Sequence, residues 1–166
     1  MKAKVLILIG SDSDLTVMES TAKTLDELNI PYHMTVSSAH RTPERTLRLV
    51  KKAEKDSVQI IIAGAGAAAH LAGVIASHTT LPVIGVPIDS SPLEGIDALY
   101  STVQMPPGIP VATMAVGKAG AKNAAIFAAQ ILALRDPSMA SALKNYRKQL
   151  ARDVEKNAKK VEKRYQ

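Results

Sequence analysis

Short apolar runs alternate with helical patterns along most of the chain, and this alternation limits the fold more than any other feature. The strand-like runs are KVLILI (4–9), YHMTVS (32–37), VQIIIA (58–63), PVIGV (82–86) and PVATM (110–114). Several are almost continuously apolar, which is typical of strands covered by helices on both faces of a parallel sheet. The pattern predicts an α/β fold, a three-layer, doubly wound parallel sheet with the flavodoxin-like strand order 2-1-3-4-5.

Helices are expected between these strands. The first is indicated by apolar residues at helical spacing, Leu15, Met18, Ala22, Leu25 and Leu28. The second runs from about Thr42, whose side chain can cap it, to Glu54. The third is the segment GAGAAAHLAGVIAS (64–77), which puts His70 about one turn inside a helix. A fourth lies near residues 93–102, and a fifth covers residues 118–134.

The C-terminal part of the chain differs from the rest in charge. Residues 135–166 contain ten Lys or Arg and four Asp or Glu, whereas residues 1–134 contain eleven of each sign. Asp136 and Pro137 can cap and open a last helix, whose apolar residues fall mostly three or four apart. We expect one catalytic domain, residues 1–166, with an α/β core at 1–134 and a C-terminal oligomerisation helix at 135–166. A basic tail can bind nucleic acid, but a solvated helix face is the favoured interpretation.

The fifth predicted helix is rich in alanine, with seven in residues 118–134. Small residues on several faces permit close packing on another subunit, while alanine also has the highest intrinsic helix propensity. The sequence leaves both explanations open.

The composition excludes several classes of protein. With no Cys, the chain has neither disulfides nor a thiol nucleophile, which fits a cytoplasmic protein. Aromatic residues make up 3% of the chain, too few for a platform that stacks single-stranded nucleic acid. The apolar run VLILI near the N-terminus is too short for a signal peptide, and no membrane-spanning segment is expected.

Three loops of unusual sequence should meet beyond the carboxyl ends of the strands, where open α/β sheets bind ligands. The first is GSDSD (10–14), in which Ser11 and Asp14 have the spacing of a capping box. Capping explains one or two of these polar residues, and the binding of a phosphate or ribose would explain the others. The third loop, AGAGAAAH (63–70), either lets a ligand approach the backbone or only permits tight helix packing.

The second loop lies within SSAHRTPE (37–44), and a simple helix start does not account for its His40 and Arg41. Arginine has a planar fork that binds two phosphate oxygens, although a salt bridge is the plainer interpretation. Histidine titrates near neutral pH, which suits a general acid/base, although an exposed loop histidine needs no function. The four histidines lack metal-ligand spacing, so no metal site is expected. These patterns indicate a ribose phosphate or nucleotide ligand and proton transfer, without identifying the reaction.

The three loops, together with PVIGVP and DALYSTVQMPPGIPVATMAVGKAGAKNAA, follow one another in a recognisable order. Over roughly residues 4–134 the chain resembles the N5-carboxyaminoimidazole ribonucleotide mutase family of purine biosynthesis. One branch of that family rearranges N5-carboxyaminoimidazole ribonucleotide to its 4-carboxy isomer, and the other carboxylates aminoimidazole ribonucleotide with carbon dioxide. The motif SAHRTP is similar to the mutase branch, because the direct carboxylases usually have lysine at the position of Arg41.

The resemblance implies a cofactor-free isomerase that moves a carboxyl group by decarboxylation and recarboxylation. His40 matches the general acid/base of the family. The positions that match substrate-binding residues are Ser11, Ser13, Asp14, Ser38, Arg41, Gly66, His70 and Leu71. The implied partners are a small ribonucleotide substrate, the other subunits of a homo-octamer and, transiently, the ATP-dependent enzyme that supplies the substrate.

Two non-enzymatic alternatives remain. A flavodoxin-like nucleotide-binding or signalling module is one, but VQIIIAGAG lacks the phosphorylatable Asp with which a receiver domain ends its third strand. Nucleic-acid binding through the basic tail is the other, and it predicts an affinity that depends strongly on salt.

Overall fold

The computed structural model describes residues 2–165, and the chain divides into two compact units. The first unit ends at Ala128 and the second begins at Ala129. The expectation of a single domain with its core ending at residue 134 stays a prediction.

The elements alternate as the sequence predicts. The first unit contains β1 (Val5–Ile9), a short 3-10 turn (Asp12–Asp14), α1 (Leu15–Glu27), β2 (Tyr32–Val36), α2 (Pro43–Lys55), β3 (Ile60–Gly66), α3 (Leu71–Ala76), β4 (Val83–Ile88), α4 (Ile96–Val103) and β5 (Ala112–Thr113). Helix α5 (Gly117–Ala133) begins in the first unit and ends in the second, and α6 (Pro137–Tyr165) lies in the second.

Within the described residues, the strands form one five-stranded parallel sheet in the order β2-β1-β3-β4-β5. The predicted flavodoxin-like strand order is therefore confirmed. Ile9, the last residue of β1, pairs with Val36 of β2 on one side and with Gly64 of β3 on the other. Because these strand ends lie side by side, the loops that follow them meet at one edge of the sheet.

Helices cover both faces of this sheet. On one face, Leu8 and Ile61 belong to an apolar cluster with Val50 of α2 and Ile75 of α3, and all four side chains are fully buried. Burial of each such side chain contributes roughly 1.5–3 kcal/mol relative to leaving it in water.

On the other face, Met18 of α1 packs closely over Gly64. A Cβ atom built on Gly64 would lie 2.6 Å from the Met18 sulfur, so the absence of a side chain lets the helix approach the strand. Thr21 of the same helix donates a 2.8 Å hydrogen bond from its hydroxyl to the carbonyl of Ala121 in α5. Helix α1 is thus fixed to the sheet and to the start of α5.

The prediction of the third helix is wrong for its first half, residues 64–70. Strand β3 continues to Gly66, which pairs with Ile88, and α3 begins only at Leu71. Ala67 has a φ of 51°, a left-handed conformation that turns the chain out of the strand. His70 consequently lies at the N-cap of α3 and not one turn inside a helix. The fifth strand is also shorter than predicted, Ala112–Thr113 in place of residues 110–114.

Helix α6 of the second unit begins where its sequence predicts. The Asp136 carboxylate accepts hydrogen bonds from the backbone N–H groups of Ser138 and Met139, at 3.0 and 3.2 Å. Apolar side chains farther along the helix are exposed, among them Leu150 and Val154. Among residues 2–165, no helix combines the length and the apolar character that a membrane crossing requires.

Candidate active site

The first loop folds on itself through the predicted capping box. The Asp14 carboxylate accepts a 3.0 Å hydrogen bond from the Ser11 N–H, and the Ser11 hydroxyl accepts one of 3.4 Å from the Ser13 N–H. Asp14 is only 4% exposed. Burial raises the pKa of its carboxyl group above the ordinary value, and the neighbouring Asp12 adds to this. The hydrogen bond from Ser11 and the positive charge of Arg41 act in the opposite direction.

Because its pKa is raised in the folded state, the Asp14 carboxyl stabilises the protein at low pH and loses this contribution as pH rises through the folded pKa. An Asp14→Asn variant keeps an oxygen that accepts from Ser11 but has no charge to bury. We expect its free energy of unfolding to exceed that of the wild type at pH 7. Urea unfolding between pH 4 and pH 8 should show the gap shrinking toward acid pH. Equal stabilities at pH 7, or a gap that widens as pH falls, would contradict the argument.

The second loop is anchored at its base and tied to the first loop at its tip. The buried Ser37 and Thr46 of α2 share a hydrogen bond of 2.8 Å between their hydroxyl groups. The Arg41 guanidinium donates a 3.2 Å bond to the carbonyl of Gly10, and the Arg41 N–H donates to the Ser38 hydroxyl at 3.2 Å. The guanidinium therefore spans the space between the two loops.

Thr42 occupies the N-cap position of α2, as expected, but its side chain makes no capping bond to the helix. Its hydroxyl instead accepts from the N–H of Ser38 and donates to the carbonyl of the same residue, at 3.2 and 3.0 Å. The prediction of the helix start is confirmed, and that of the side-chain cap is wrong. The hydroxyl closes the loop that carries His40 and Arg41.

The second and third loops meet through two histidines. His40 Nε2 and His70 Nδ1 are 2.9 Å apart, and one ring lies edge-on to the other with centroids separated by 5.0 Å. One of the two nitrogens donates and the other accepts, depending on the tautomer. The bond fixes both ring orientations and leaves His40 Nδ1 and His70 Nε2 outside the contact.

The loops enclose a cleft of about 290 Å³ at the carboxyl ends of the strands. Eight of the nine residues predicted for the site line it: Ser11, Ser13, Asp14, Ser38, His40, Arg41, Gly66 and Leu71. The ninth, His70, contacts the cleft through its bond to His40. Within residues 2–165, no cluster of three or more His, Cys, Asp or Glu is placed to hold a metal ion.

Sequence reasoning missed a residue that the structure adds to the cleft wall, Ser90. It follows β4 in the short segment of residues 89–92, another loop at the carboxyl end of a strand. The sequence does place polar residues at this strand end, where ligands bind in such folds, but polar residues are equally typical of ordinary turns. Small residues of the other loops, such as Ala39 and Ala68, complete the lining.

The sheet and its strand-end cleft, with a histidine pair and an arginine between hydroxyl-bearing loops, define a small flavodoxin-like α/β enzyme. The sequence model of the AIR carboxylase family matches residues 4–153, and the chain belongs to this family.

Similar proteins cover almost the whole chain. An N5-carboxyaminoimidazole ribonucleotide mutase of Pyrococcus horikoshii is 54% identical over 161 residues, which span 97% of this chain and 90% of that protein. A protein of the same name from Escherichia coli is 51% identical over 155 residues, 93% of this chain and 92% of the relative. The crystal structure of Treponema denticola PurE superposes with a TM-score of 0.85 at 32% identity, covering 95% of this chain and 97% of that one.

Proposed function

We propose that this chain converts N5-carboxyaminoimidazole ribonucleotide to 4-carboxy-5-aminoimidazole ribonucleotide, a step of purine biosynthesis. The observation that carries the proposal is the position of His40, bonded to His70 and next to Arg41, in a cleft closed by hydroxyl-bearing loops. Relatives with this name share about half of their residues with the chain. The second candidate, direct carboxylation of aminoimidazole ribonucleotide, uses the same fold and cleft.

In this proposal, the phosphate of the ribonucleotide binds between the first two loops. Arg41 is the cationic side chain there, and Ser13 and Ser38 line the same cleft. A guanidinium already placed between two loops can bind phosphate oxygens in a fork without a large rearrangement. The buried Asp14 carboxylate accepts from the ribose hydroxyls, which places the imidazole against Gly66 and Leu71.

His40 then moves the proton that the rearrangement requires. The bond between the exocyclic nitrogen and the carboxyl carbon breaks, the nitrogen takes a proton from the protonated His40, and carbon dioxide remains in the cleft. The ring carbon attacks this carbon dioxide, and His40 accepts the proton that the ring carbon loses. Proton transfer by a positioned side chain contributes roughly 10²- to 10⁴-fold in rate. A small cleft that retains the carbon dioxide keeps the second step effectively unimolecular.

An activity assay on the purified protein tests the proposal. N5-carboxyaminoimidazole ribonucleotide is compared with aminoimidazole ribonucleotide plus bicarbonate, without ATP or metal, and formation of the 4-carboxy product is followed. Fast turnover of the first substrate at low bicarbonate supports the mutase. Turnover of only the second, rising with carbon dioxide, would identify the direct carboxylase. Activity with neither would overturn both assignments.

Replacing Arg41 with alanine should weaken binding of aminoimidazole ribonucleotide by about 10- to 100-fold. Loss of hydrogen bonds to a charged group typically costs about 1.5–3 kcal/mol, and the phosphate would lose its cationic partner. Isothermal titration measures the dissociation constant. Arg48→Ala is the matched control, because Arg48 is exposed on α2 and does not line the cleft. An unchanged affinity in Arg41→Ala would contradict the phosphate assignment.

We also propose that the chain assembles as a homo-octamer, in the cytoplasm, and transiently contacts the ATP-dependent enzyme that supplies its labile substrate. Helix α4 and the residues before it support the assembly, because Leu93, Ile96, Tyr100 and Val103 fall at helical spacing and are 47–62% exposed. An apolar stripe of this kind is typical of a protein interface. Sedimentation velocity of the purified protein should give the mass of eight chains, and a monomer would contradict the proposal.

A further inference from the structure

Ser90 occupies space that a glycine on the neighbouring strand leaves free. Gly66 ends β3 and pairs with Ile88, the last residue of β4, so Ser90 follows two residues later beside it. A Cβ atom on Gly66 would lie 1.8 Å from the Ser90 hydroxyl oxygen and 3.0 Å from the Ile88 carbonyl oxygen. The missing side chain of Gly66 therefore lets the Ser90 hydroxyl lie against the wall of the cleft.

The Ser90 hydroxyl forms no hydrogen bond with any of the described residues, whereas the hydroxyls of Ser11, Ser38 and Ser91 do. The hydroxyl of Ser11 donates to the Asp12 carboxylate, and that of Ser38 accepts from the N–H of Arg41. The adjacent Ser91 uses its hydroxyl to accept a 3.2 Å bond from the Leu93 N–H, which shapes the loop. The fold thus uses Ser91 and leaves the Ser90 hydroxyl available to a ligand.

The segment that contains Gly66 adds no side-chain donor to the cleft beside Ser90. Ala65, Ala68 and Leu71, which precede and follow Gly66 in the sequence and line the cleft, have apolar side chains. The positive charge of Arg41 lies between the first two loops, where it is bonded to Gly10 and Ser38. The facing nitrogens of the two histidines bond to each other, which leaves only His40 Nδ1 and His70 Nε2 to contact a ligand. A ligand with a second anionic group, away from its phosphate, needs a donor in this part of the cleft.

We propose that Ser90 is a substrate-positioning residue whose hydroxyl donates a hydrogen bond to the carboxylate that moves between the nitrogen and the ring carbon. This inference rests on the proposed function and names the substrate group that this side chain binds. One end of the ribonucleotide is held by the loops around Arg41, and its carboxylate is held at the Gly66 end. Both carboxylated nucleotides, substrate and product, make this contact, and aminoimidazole ribonucleotide does not.

The test compares Ser90→Ala with Ser91→Ala, two variants that each lose one hydroxyl from the same loop. Titration measures the dissociation constants of the 4-carboxy nucleotide and of aminoimidazole ribonucleotide, which lacks the carboxylate. Ser90→Ala should weaken the first by roughly tenfold, as expected for a lost hydrogen bond to a charged group, and change the second less than about twofold. Its kcat/KM for N5-carboxyaminoimidazole ribonucleotide should fall by a similar factor. Ser91→Ala should leave all three quantities within about twofold of wild type.

Two results would overturn the inference. An equal loss of affinity for both nucleotides would show that Ser90 contacts the ribose or phosphate, and no loss for either would show that it contacts neither. Thermal unfolding followed by circular dichroism checks that Ser90→Ala is folded. If the wild type turns over neither candidate substrate, the proposed function fails, while the comparison of the two dissociation constants still tests the carboxylate contact.

Discussion

Replacing His40 with asparagine should reduce turnover by at least about 10²-fold, the lower limit expected when a positioned general acid/base is removed. Asparagine is close to histidine in size and retains polar atoms toward His70, so the loop should keep its shape. His40 is exposed, and its substitution should change the free energy of unfolding by less than about 0.5 kcal/mol. Single-turnover measurements with enzyme in excess would separate the chemical step from binding.

His78→Asn is the matched control, because His78 is exposed after α3 and does not line the cleft. It should retain wild-type turnover. The dissociation constant of aminoimidazole ribonucleotide should be nearly unchanged in both variants. Turnover above about a tenth of the wild-type rate in His40→Asn would remove this histidine from the proton-transfer step.

Gly120→Ala should be the most destabilising of the conservative substitutions proposed, and it should lower the free energy of unfolding by about 3 kcal/mol. Overpacking in a close-packed region typically costs about 1–3 kcal/mol, and this contact lies at the severe end. The new Cβ atom would lie 1.6 Å from the carbonyl oxygen of Ala115 and 2.6 Å from its carbonyl carbon. Both are backbone atoms, which cannot rotate away as a side chain does, so α5 or the preceding segment has to shift.

Gly73→Ala provides the comparison for this prediction. Gly73 lies in α3, and the nearest atom to its new Cβ would be the sulfur of the flexible Met105 side chain, at 3.1 Å. Alanine is favoured over glycine in a helix by about 0.5–1 kcal/mol, which offsets the slight crowding. Urea unfolding should therefore show a large loss for Gly120→Ala and a change below about 1 kcal/mol for Gly73→Ala. Similar stabilities for the two variants would show that the Ala115 contact relaxes at little cost.

The sequence predicted the sheet well because most of its strands are marked by short, almost continuously apolar runs. The boundary between β3 and α3 was predicted wrongly because AGAGAAAH consists of residues with no strong preference for either a strand or a helix. Gly64 is held in the strand by pairing with β1 on one side and β4 on the other, and Gly66 by pairing with β4 alone. This pairing is a long-range effect. Local propensity contains no information about it.

For the cleft too, the sequence indicates what local patterns determine and not what long-range contacts determine. The loops after β1, β2 and β3 could be assigned to one site because parallel strands bring their carboxyl ends together. The bond between His40 and His70 could not be predicted, since it depends on side-chain directions across residues 30 positions apart. Ser90 was missed because the reason for its position is the missing side chain of Gly66, a steric relation between two strands.

The hydrogen bond between the two imidazoles limits how many protons the pair can bind at the same time. A bond between His40 Nε2 and His70 Nδ1 exists only while one of these nitrogens carries a hydrogen and the other does not. Two fully charged rings would point N–H groups at each other and lose the bond. The neutral pair can therefore take up one additional proton while the hydrogen bond between the rings stays intact. The proposed reaction takes one proton from carbon and returns one to nitrogen in each cycle, so one additional proton is all that the pair would have to hold.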